Sequence, residues 1–177
     1  MVWTAPMTAV AGSVFTAAQF NQYVRDNLNQ TAPALASVVG QLFVSTGLNA
    51  IAARTPVTAS ISTSETTTST SYTDLTTPGP SVTCTTGTQA IVIIYGQFRH
   101  SASDTAIASY AVSGATTISG SDNRVAGGPF GTIGAGMSGV WLEQGLTAGS
   151  NVFKMVYRTG SGTGTFLNRR IFVIPLS

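Results

Sequence analysis

The spacing of hydrophobic residues changes near position 56. Upstream of it, Phe20, Tyr23, Val24 and Leu28 recur at intervals of three or four residues, which would place them on one face of an α-helix. Downstream, short apolar and β-branched runs alternate with clusters of Gly, Pro, Asn and Asp, a pattern typical of strands and turns. The sequence therefore predicts an N-terminal arm over residues 1–55 and a β domain over residues 56–177.

Two local signals mark the start of the helix. Thr16 suits the N-cap position, and Gln19, three residues later, can complete a capping box by bonding back to the Thr16 amide. Phe15 before the cap and Phe20 after it are placed to form a hydrophobic staple. We expect a helix over about residues 16–29 with an apolar face that needs a partner.

The rest of the arm carries helix-breaking residues and almost no charge. Pro33, Gly40 and Gly47 interrupt any long helix, and no charged residue occurs between Asp26 and Arg54. We expect an extended arm with one strand near residues 41–45.

The β domain contains about eight candidate strands, and no helical segment long enough to connect parallel strands intervenes. The predicted fold class is mainly β: an antiparallel β-sandwich, most simply a jelly roll, preceded by the short helix and extended arm. Residues 113–139 contain too much glycine for regular pairing, so they are predicted to form a long loop at one end of the sandwich. The candidate strands are residues 57–62, 71–75, 81–85, 89–98, 105–112, 139–143, 150–158 and 168–174.

Charge is scarce throughout the chain. Only 8% of the residues are charged, against about a quarter in an average soluble domain, and mean hydropathy is +0.26. The apolar runs stop after four to six residues, whereas a membrane helix needs about 20. We therefore expect no membrane partner and no cleaved signal peptide. Strands such as AIVIIY would be exposed to aggregation as open edges, so we expect a homo-oligomer that covers them.

Several other classes of partner lack a basis in the sequence. The net charge of +2 comes without a basic stripe, which argues against nucleic-acid binding. Cys84 is the only cysteine, so an intrachain disulfide and a multi-thiolate metal site are excluded. No calcium-loop or HExxH motif is present, and the glycine runs GSGTG and VAGGPFGTIGAG lack a following GK[ST]. We predict no metal and no cofactor.

The candidates for catalysis are few. His100 lies four residues before Asp104 in a serine-rich chain, so a hydrolase stays an open alternative. There is no GxSxG motif, and a polar surface turn at His100 is the favoured interpretation. Asp104 and Asp122 could also meet as the acid pair of a glycosidase, although turn chemistry explains both. We expect no enzymatic activity.

The N-terminal sequence WTAP, followed by VAGSVFTAAQFNQYVRDNL, resembles the opening of small virion proteins of tailed bacteriophages that infect actinobacteria. In the second half, YTDL, AVSGATTIS, GLTAGSNVFKMVYR and GTGTFLNRRIFVIPL look similar to the same group, so the resemblance covers most of the chain. The N-terminal positions that match the pattern are Gly12, Thr16, Ala17, Ala18, Asn21, Val24, Arg25, Asp26 and Asn27.

The resemblance implies a structural protein of the virion, assembled in the bacterial host cytoplasm. The leading hypothesis is an oligomeric capsid decoration or head-fibre protein, expected to be a homotrimer, that binds capsid subunits through its N-terminal arm. The alternative is a minor tail protein or receptor-binding tip, bound to tail subunits, whose 113–139 loop contacts host glycans. Trp3, close to the N-terminus, is expected to dock into a partner, and Arg25 and Asp26 to serve contacts on two sides of the helix. The predicted contact residues are Trp3, Phe15, Phe20, Tyr23, Val24, Arg25, Asp26 and Leu28.

Overall fold

The computed structural model describes residues 3–176, with the side chains of residues 32 and 33 left out. The chain forms two compact units that meet in sequence at Thr55 and Pro56. In the first unit a helical segment runs through α1 (Ala17–Phe20), a π-helical turn (Asn21–Arg25) and α2 (Asp26–Leu28). It is followed by α3 (Ala32–Leu35), β1 (Leu42–Gly47) and β2 (Ala50–Arg54).

The arm contains a hairpin where one strand was predicted. β1 and β2 pair antiparallel, from Leu42 opposite Arg54 to Gly47 opposite Ala50. The tight turn between them holds Asn49 at φ 55°, a left-handed conformation that Asn tolerates better than most residues. The prediction of a single strand was therefore wrong, because the second strand, AIAAR, has no alternating pattern that distinguishes it from irregular chain.

The second unit is built from antiparallel strands in two sheets. One sheet has the order β5-β10-β7-β8 and the other β3-β11-β6-β9, with β4 also paired to β11. The strands are β3 (Val57–Ile61), β4 (Glu65–Thr67), β5 (Ser81–Thr86), β6 (Gln89–His100), β7 (Asp104–Gly114), β8 (Ala126–Phe130), β9 (Ala135–Gln144), β10 (Gly149–Thr159) and β11 (Gly164–Pro175).

Leaving β4 aside, the strands pair from the outside of the sequence inward. The first pairs with the last (β3 with β11), the second with the second from last (β5 with β10), the third with the third from last (β6 with β9), and the central two with each other (β7 with β8). This is the pairing of one long hairpin wound into two sheets, the arrangement of a jelly roll. The predicted antiparallel β-sandwich with a short N-terminal helix is confirmed.

The core lies between the two sheets and contains aromatic rings that pack against one another. Tyr157 and Phe166 meet across it at 5.0 Å between ring centroids, and Phe98 packs edge-on against Phe166 at 5.9 Å. Trp141 is partly buried and packs against this core.

The predictions for two segments of the β domain were wrong. Residues 71–75 form no strand and contribute a single bridge, from Thr73 to Tyr157. Residues 113–139 are not one long loop, because they contain β8 and the first half of β9. Glycine permits this pairing: Gly127 has φ +122°, and a Cβ there would lie 2.4 Å from the Ala106 carbonyl oxygen. The absence of a side chain therefore allows the strand to approach its neighbour rather than preventing it from pairing.

Candidate functional site

The N-terminal unit exposes an unusual amount of apolar surface. Among the described residues, twelve of the sixteen large hydrophobic side chains that are exposed lie in this unit. The first 55 residues contain only three charges, Arg25, Asp26 and Arg54. Exposed apolar surface with so little charge around it makes this unit the candidate interaction surface of the chain. The most exposed members are Val10, Val14, Phe15, Leu28, Val38, Val39 and Leu48.

The helix begins as its sequence predicts. The Gln19 amide donates to Thr16 Oγ1 at 3.2 Å, and the Thr16 amide donates to Gln19 Oε1 at 2.9 Å. Phe15 and Phe20 meet edge to face with their ring centroids 6.1 Å apart. The capping box and the hydrophobic contact across it are thus confirmed. About half of each phenyl side chain stays exposed, 52% for Phe15 and 49% for Phe20, so the staple leaves apolar area available to a partner.

The centre of the helical segment is not a regular α-helix. A π-helical turn occupies Asn21–Arg25, and such a turn adds about one residue to the local repeat. The face predicted from α-helical spacing therefore does not continue across this turn. Phe20 and Leu28 are exposed, whereas Tyr23 and Val24 are half-buried.

Asn27 is the buried residue of the helical segment, with 4% of its surface exposed. Its Oδ1 accepts the Thr4 amide at 2.9 Å, and its Nδ2 donates to the Thr4 carbonyl at 2.9 Å and to the Tyr23 carbonyl at 3.1 Å. The side-chain amide thus pairs with the Thr4 backbone as a neighbouring strand would, and it ties the extended N-terminal segment to the helix. The sequence identified Asn27 only as a position of the N-terminal motif and did not predict its contact with Thr4. The weak helix propensity of Asn was the one available sign that its side chain has a specific role.

Arg25 and Asp26 do not point to opposite sides of the helix. Arg25 Nε donates to Asp26 Oδ1 at 2.9 Å, and a second guanidinium nitrogen lies 2.8 Å from the same oxygen. The prediction that they serve separate contacts assumed that neighbouring helical side chains diverge, but the long Arg25 side chain bends back to its neighbour. The pair is largely exposed, with 56% and 35% of the two side chains accessible.

Trp3 docks against its own unit. It lines a cavity of about 310 Å³ together with Gln30 and the β1–β2 hairpin residues Ser45, Gly47, Asn49, Ala50 and Ile51. The tie between Asn27 and Thr4 holds the adjacent backbone in place. Trp3 keeps 37% of its surface exposed, so part of the indole remains open to a partner.

The residues considered for catalysis have other partners. His100 is buried, 1% exposed, so its predicted place at the surface was wrong. Its Nε2 lies 2.6 Å from the Ser161 carbonyl oxygen and 3.0 Å from Thr159 Oγ1, and its Nδ1 lies 3.0 Å from both the amide nitrogen and the carbonyl oxygen of Ala102. Asp104 accepts hydrogen bonds from Ser161 Oγ and the Thr105 amide, which together hold its pKa below the usual value.

Asp122, considered with Asp104 as an acid pair, also has other partners. Asp122 binds the Arg158 guanidinium at 2.7 Å and the Tyr72 hydroxyl at 2.7 Å; these bonds lower the Asp122 pKa. No group of three or more His, Cys, Asp or Glu residues that could hold a metal ion occurs within residues 3–176. Across the same range, no helix is both long and apolar enough to cross a membrane.

Phe130, the aromatic residue of the glycine-rich segment, is partly buried. Phe130 stacks on Phe98 with ring centroids 6.0 Å apart and an interplanar angle of 10°, and it packs against the core. One face of the Phe130 ring is therefore covered by Phe98.

The fold defines a β-sandwich protein preceded by a unit with exposed apolar side chains. No family model matches the chain, and no curated protein matches it. Among solved structures, one that matches is described as the structure of infectious bursal disease virus Gx strain. It shares 10% identity, with a TM-score of 0.40, over 79% of this chain and 36% of that one. The chain thus spans about a third of the length of this neighbour, and the likeness is too weak to support an argument about function.

Proposed function

We propose that this protein is a structural component of a bacteriophage particle: a capsid decoration or head-fibre protein, assembled as a homotrimer and anchored by its N-terminal unit. The observation that carries the proposal is the concentration of exposed apolar side chains in the first 55 residues. The resemblance of WTAP and VAGSVFTAAQFNQYVRDNL to virion proteins supports the same class, and jelly rolls recur in capsid and lectin domains. The proposal includes no catalytic turnover.

In this proposal, the protein attaches to the capsid by burying apolar side chains of its N-terminal unit against it. Phe15, just before the N-cap, and Phe20 and Leu28 within the helical segment offer half-exposed apolar side chains, and the capping box fixes where the helix starts. A standard protein interface buries about 1,600 Å² in total. A trimer would engage three capsid sites at once, so avidity adds to the affinity of each arm.

The proposal is tested by mixing the purified protein with capsids that carry no copies of it. Full-length protein is expected to bind at regular sites in hundreds of copies per particle, counted by mass and by imaging. A Phe15→Ser, Leu28→Ser double variant is expected to lose most of this binding, because both side chains lie in the N-terminal unit. Ile133→Ser is the matched control, since Ile133 is 89% exposed and lies in the sandwich.

Two results would contradict decoration. If the full-length protein fails to bind capsids, the capsid role is wrong. If imaging of intact virions finds only a few copies, all at the tail, the minor tail or receptor-binding alternative takes its place. Equal binding by the double variant and the wild type would remove the N-terminal unit as the anchor.

A further inference from the structure

One end of the β3-β11-β6-β9 sheet is apolar on both faces. Along β6, Ala90, Val92 and Ile94 are buried in the core, and the intervening Ile91 and Ile93 point to the opposite side. The register places Leu142 of β9 and Ile174 of β11 beside Ile91, and Val140 and Phe172 beside Ile93. We name these six residues the outer apolar face: Ile91, Ile93, Val140, Leu142, Phe172 and Ile174.

This face departs from the usual pattern of an antiparallel sheet. A sheet with one face on the core normally turns polar residues to solvent, whereas strands covered on both sides are apolar on both. Val140 is 63% exposed and Leu142 52% exposed, and both lie on β9, at the edge of the sheet. An apolar edge strand of this kind is a site of pairing or aggregation unless something covers it.

Charge is absent from the outer apolar face itself. The next row along the sheet pairs Tyr95 with Arg170, and Arg99 lies farther along β6 opposite Thr165. Both arginines are exposed; Arg170 borders the six apolar residues and Arg99 lies farther from them, so both guanidinium groups can stay in solvent at the rim of a contact. Two copies can therefore bring this face together without burying a charge or opposing like charges.

The size of the face suits association between copies of the chain. The three strands that carry the face, β6, β9 and β11, lie about 4.8 Å apart and hold ten to twelve residues each at about 3.3 Å per residue, so they span roughly 500 Å² of flat sheet. A stable interface buries about 800 Å² on each partner, which is of the same order once side-chain relief is included. Three copies with this face toward a shared axis would enclose it and remove the β9 edges from solvent.

We propose that the outer apolar face is the surface through which copies of this chain associate. The inference rests on the proposed homo-oligomer and names the contact that forms it. It assigns the sandwich to self-association and leaves the N-terminal unit free to bind the particle.

The test compares two variants of the full-length protein by sedimentation and light scattering. A Val140→Glu, Leu142→Glu double variant is expected to weaken association at least tenfold, because two carboxylates would have to be desolvated at the contact. Ile133→Glu, which introduces one carboxylate on an exposed residue of the preceding loop, is expected to associate like the wild type. A monomeric wild type, or a double variant that associates with unchanged affinity, would overturn the proposal.

A second measurement remains informative if the double variant fails to fold. In a Cys84→Ser background, Val140→Cys is expected to be protected from a maleimide at protein concentrations where the oligomer forms and to become reactive on dilution. Ile133→Cys should react at both concentrations. Protection of Val140→Cys that does not depend on concentration would mean that a segment of the same chain covers the face, and would contradict the proposal.

The capsid-binding experiment separates this inference from the proposed function. An oligomer that dissociates in the Val140→Glu, Leu142→Glu variant but whose wild type does not bind capsids would retain the self-association surface and reject the decoration role. A wild-type protein that is monomeric but binds capsids would retain the decoration role and reject the self-association surface.

Discussion

Arg169 lies fully buried between the sheets, with its guanidinium carbon 5.5 Å from the centroid of the Tyr157 ring. A bulge in β11 puts it there. The register with β6 shifts between Leu167 and Arg170, and Asn168 adopts φ 50°. The extra residue changes which positions face inward, so a cation enters the core between Phe166 and Ile171. Its ion-pair partner is Glu65, 3.4 Å away.

Replacement of Arg169 by Ala is expected to destabilise the sandwich by about 3–5 kcal/mol, because it leaves the Glu65 carboxylate without its buried partner. Urea denaturation of the full-length protein measures this. Arg158→Ala is the matched control, since its partner Asp122 has 63% of its side chain exposed, and exposed pairs contribute about 0–1 kcal/mol. Equal losses of unfolding free energy in the two variants would contradict the expectation that the buried ion pair contributes more than the exposed one.

Glu65 is expected to make the fold sensitive to acid. Burial alone raises the pKa of Glu65, but hydrogen bonds from the Thr77 hydroxyl and amide, together with Arg169, outweigh it and lower the pKa below 4.5. A carboxylate with a lowered folded-state pKa contributes stability above its unfolded pKa and loses it as pH falls through the folded value.

A comparison of the wild type with Glu65→Gln tests whether the stabilisation by Glu65 is lost as the pH falls. The difference in unfolding free energy should be constant from pH 7 to about pH 5 and shrink as pH falls below about 4.5. A difference that grows on acidification would mean that the carboxyl group binds its proton more tightly in the folded state.

Asn27→Ala is expected to release the N-terminal segment without unfolding the sandwich. The substitution removes both bonds to Thr4, and a lost buried hydrogen-bond partner costs about 1–3 kcal/mol. Hydrogen exchange at the Thr4 amide should become faster, while exchange in β6 and β10 stays unchanged. Unchanged protection at Thr4 would show that other contacts hold the segment.

Cys84 is expected to be a poor nucleophile. Burial raises the pKa of its thiol to about 11 from 9.0, and only the thiolate attacks an electrophile. At neutral pH the thiolate fraction should be about 100-fold below that of an ordinary thiol. Maleimide labelling of the wild type, compared with Ile133→Cys in a Cys84→Ser background, measures the ratio; similar rates would contradict it.

The regular strands were predictable because their pattern is local. Alternation along Gln89–His100 reports which side chains face the core, and no distant information is needed to read it. The glycine-rich strands were missed for the opposite reason. Gly139 pairs in β9 under the ring of Trp141, and a residue without a side chain gives no alternation to detect.

The details of the N-terminal unit were less predictable. The capping box depends on residues three apart, so the sequence reveals it. The contact between Asn27 and Thr4 joins residues 23 apart, and no local pattern announces it. The π-helical turn at Asn21–Arg25 likewise has no sequence signature that distinguishes it from a continuous α-helix. Sequence reasoning therefore located the helix but not the geometry with which it presents its apolar residues.

Pairing of the first sandwich strand with the last has a consequence for synthesis on the ribosome. β3 cannot find β11 until nearly the whole chain has been translated, and such non-local pairings form slowly. The helix, the Thr4 contact and the β1–β2 hairpin need only the first 55 residues. During translation the elements of the N-terminal unit are therefore available well before the sandwich can close, so a nascent chain can expose the apolar side chains of the first unit before the outer apolar face has formed.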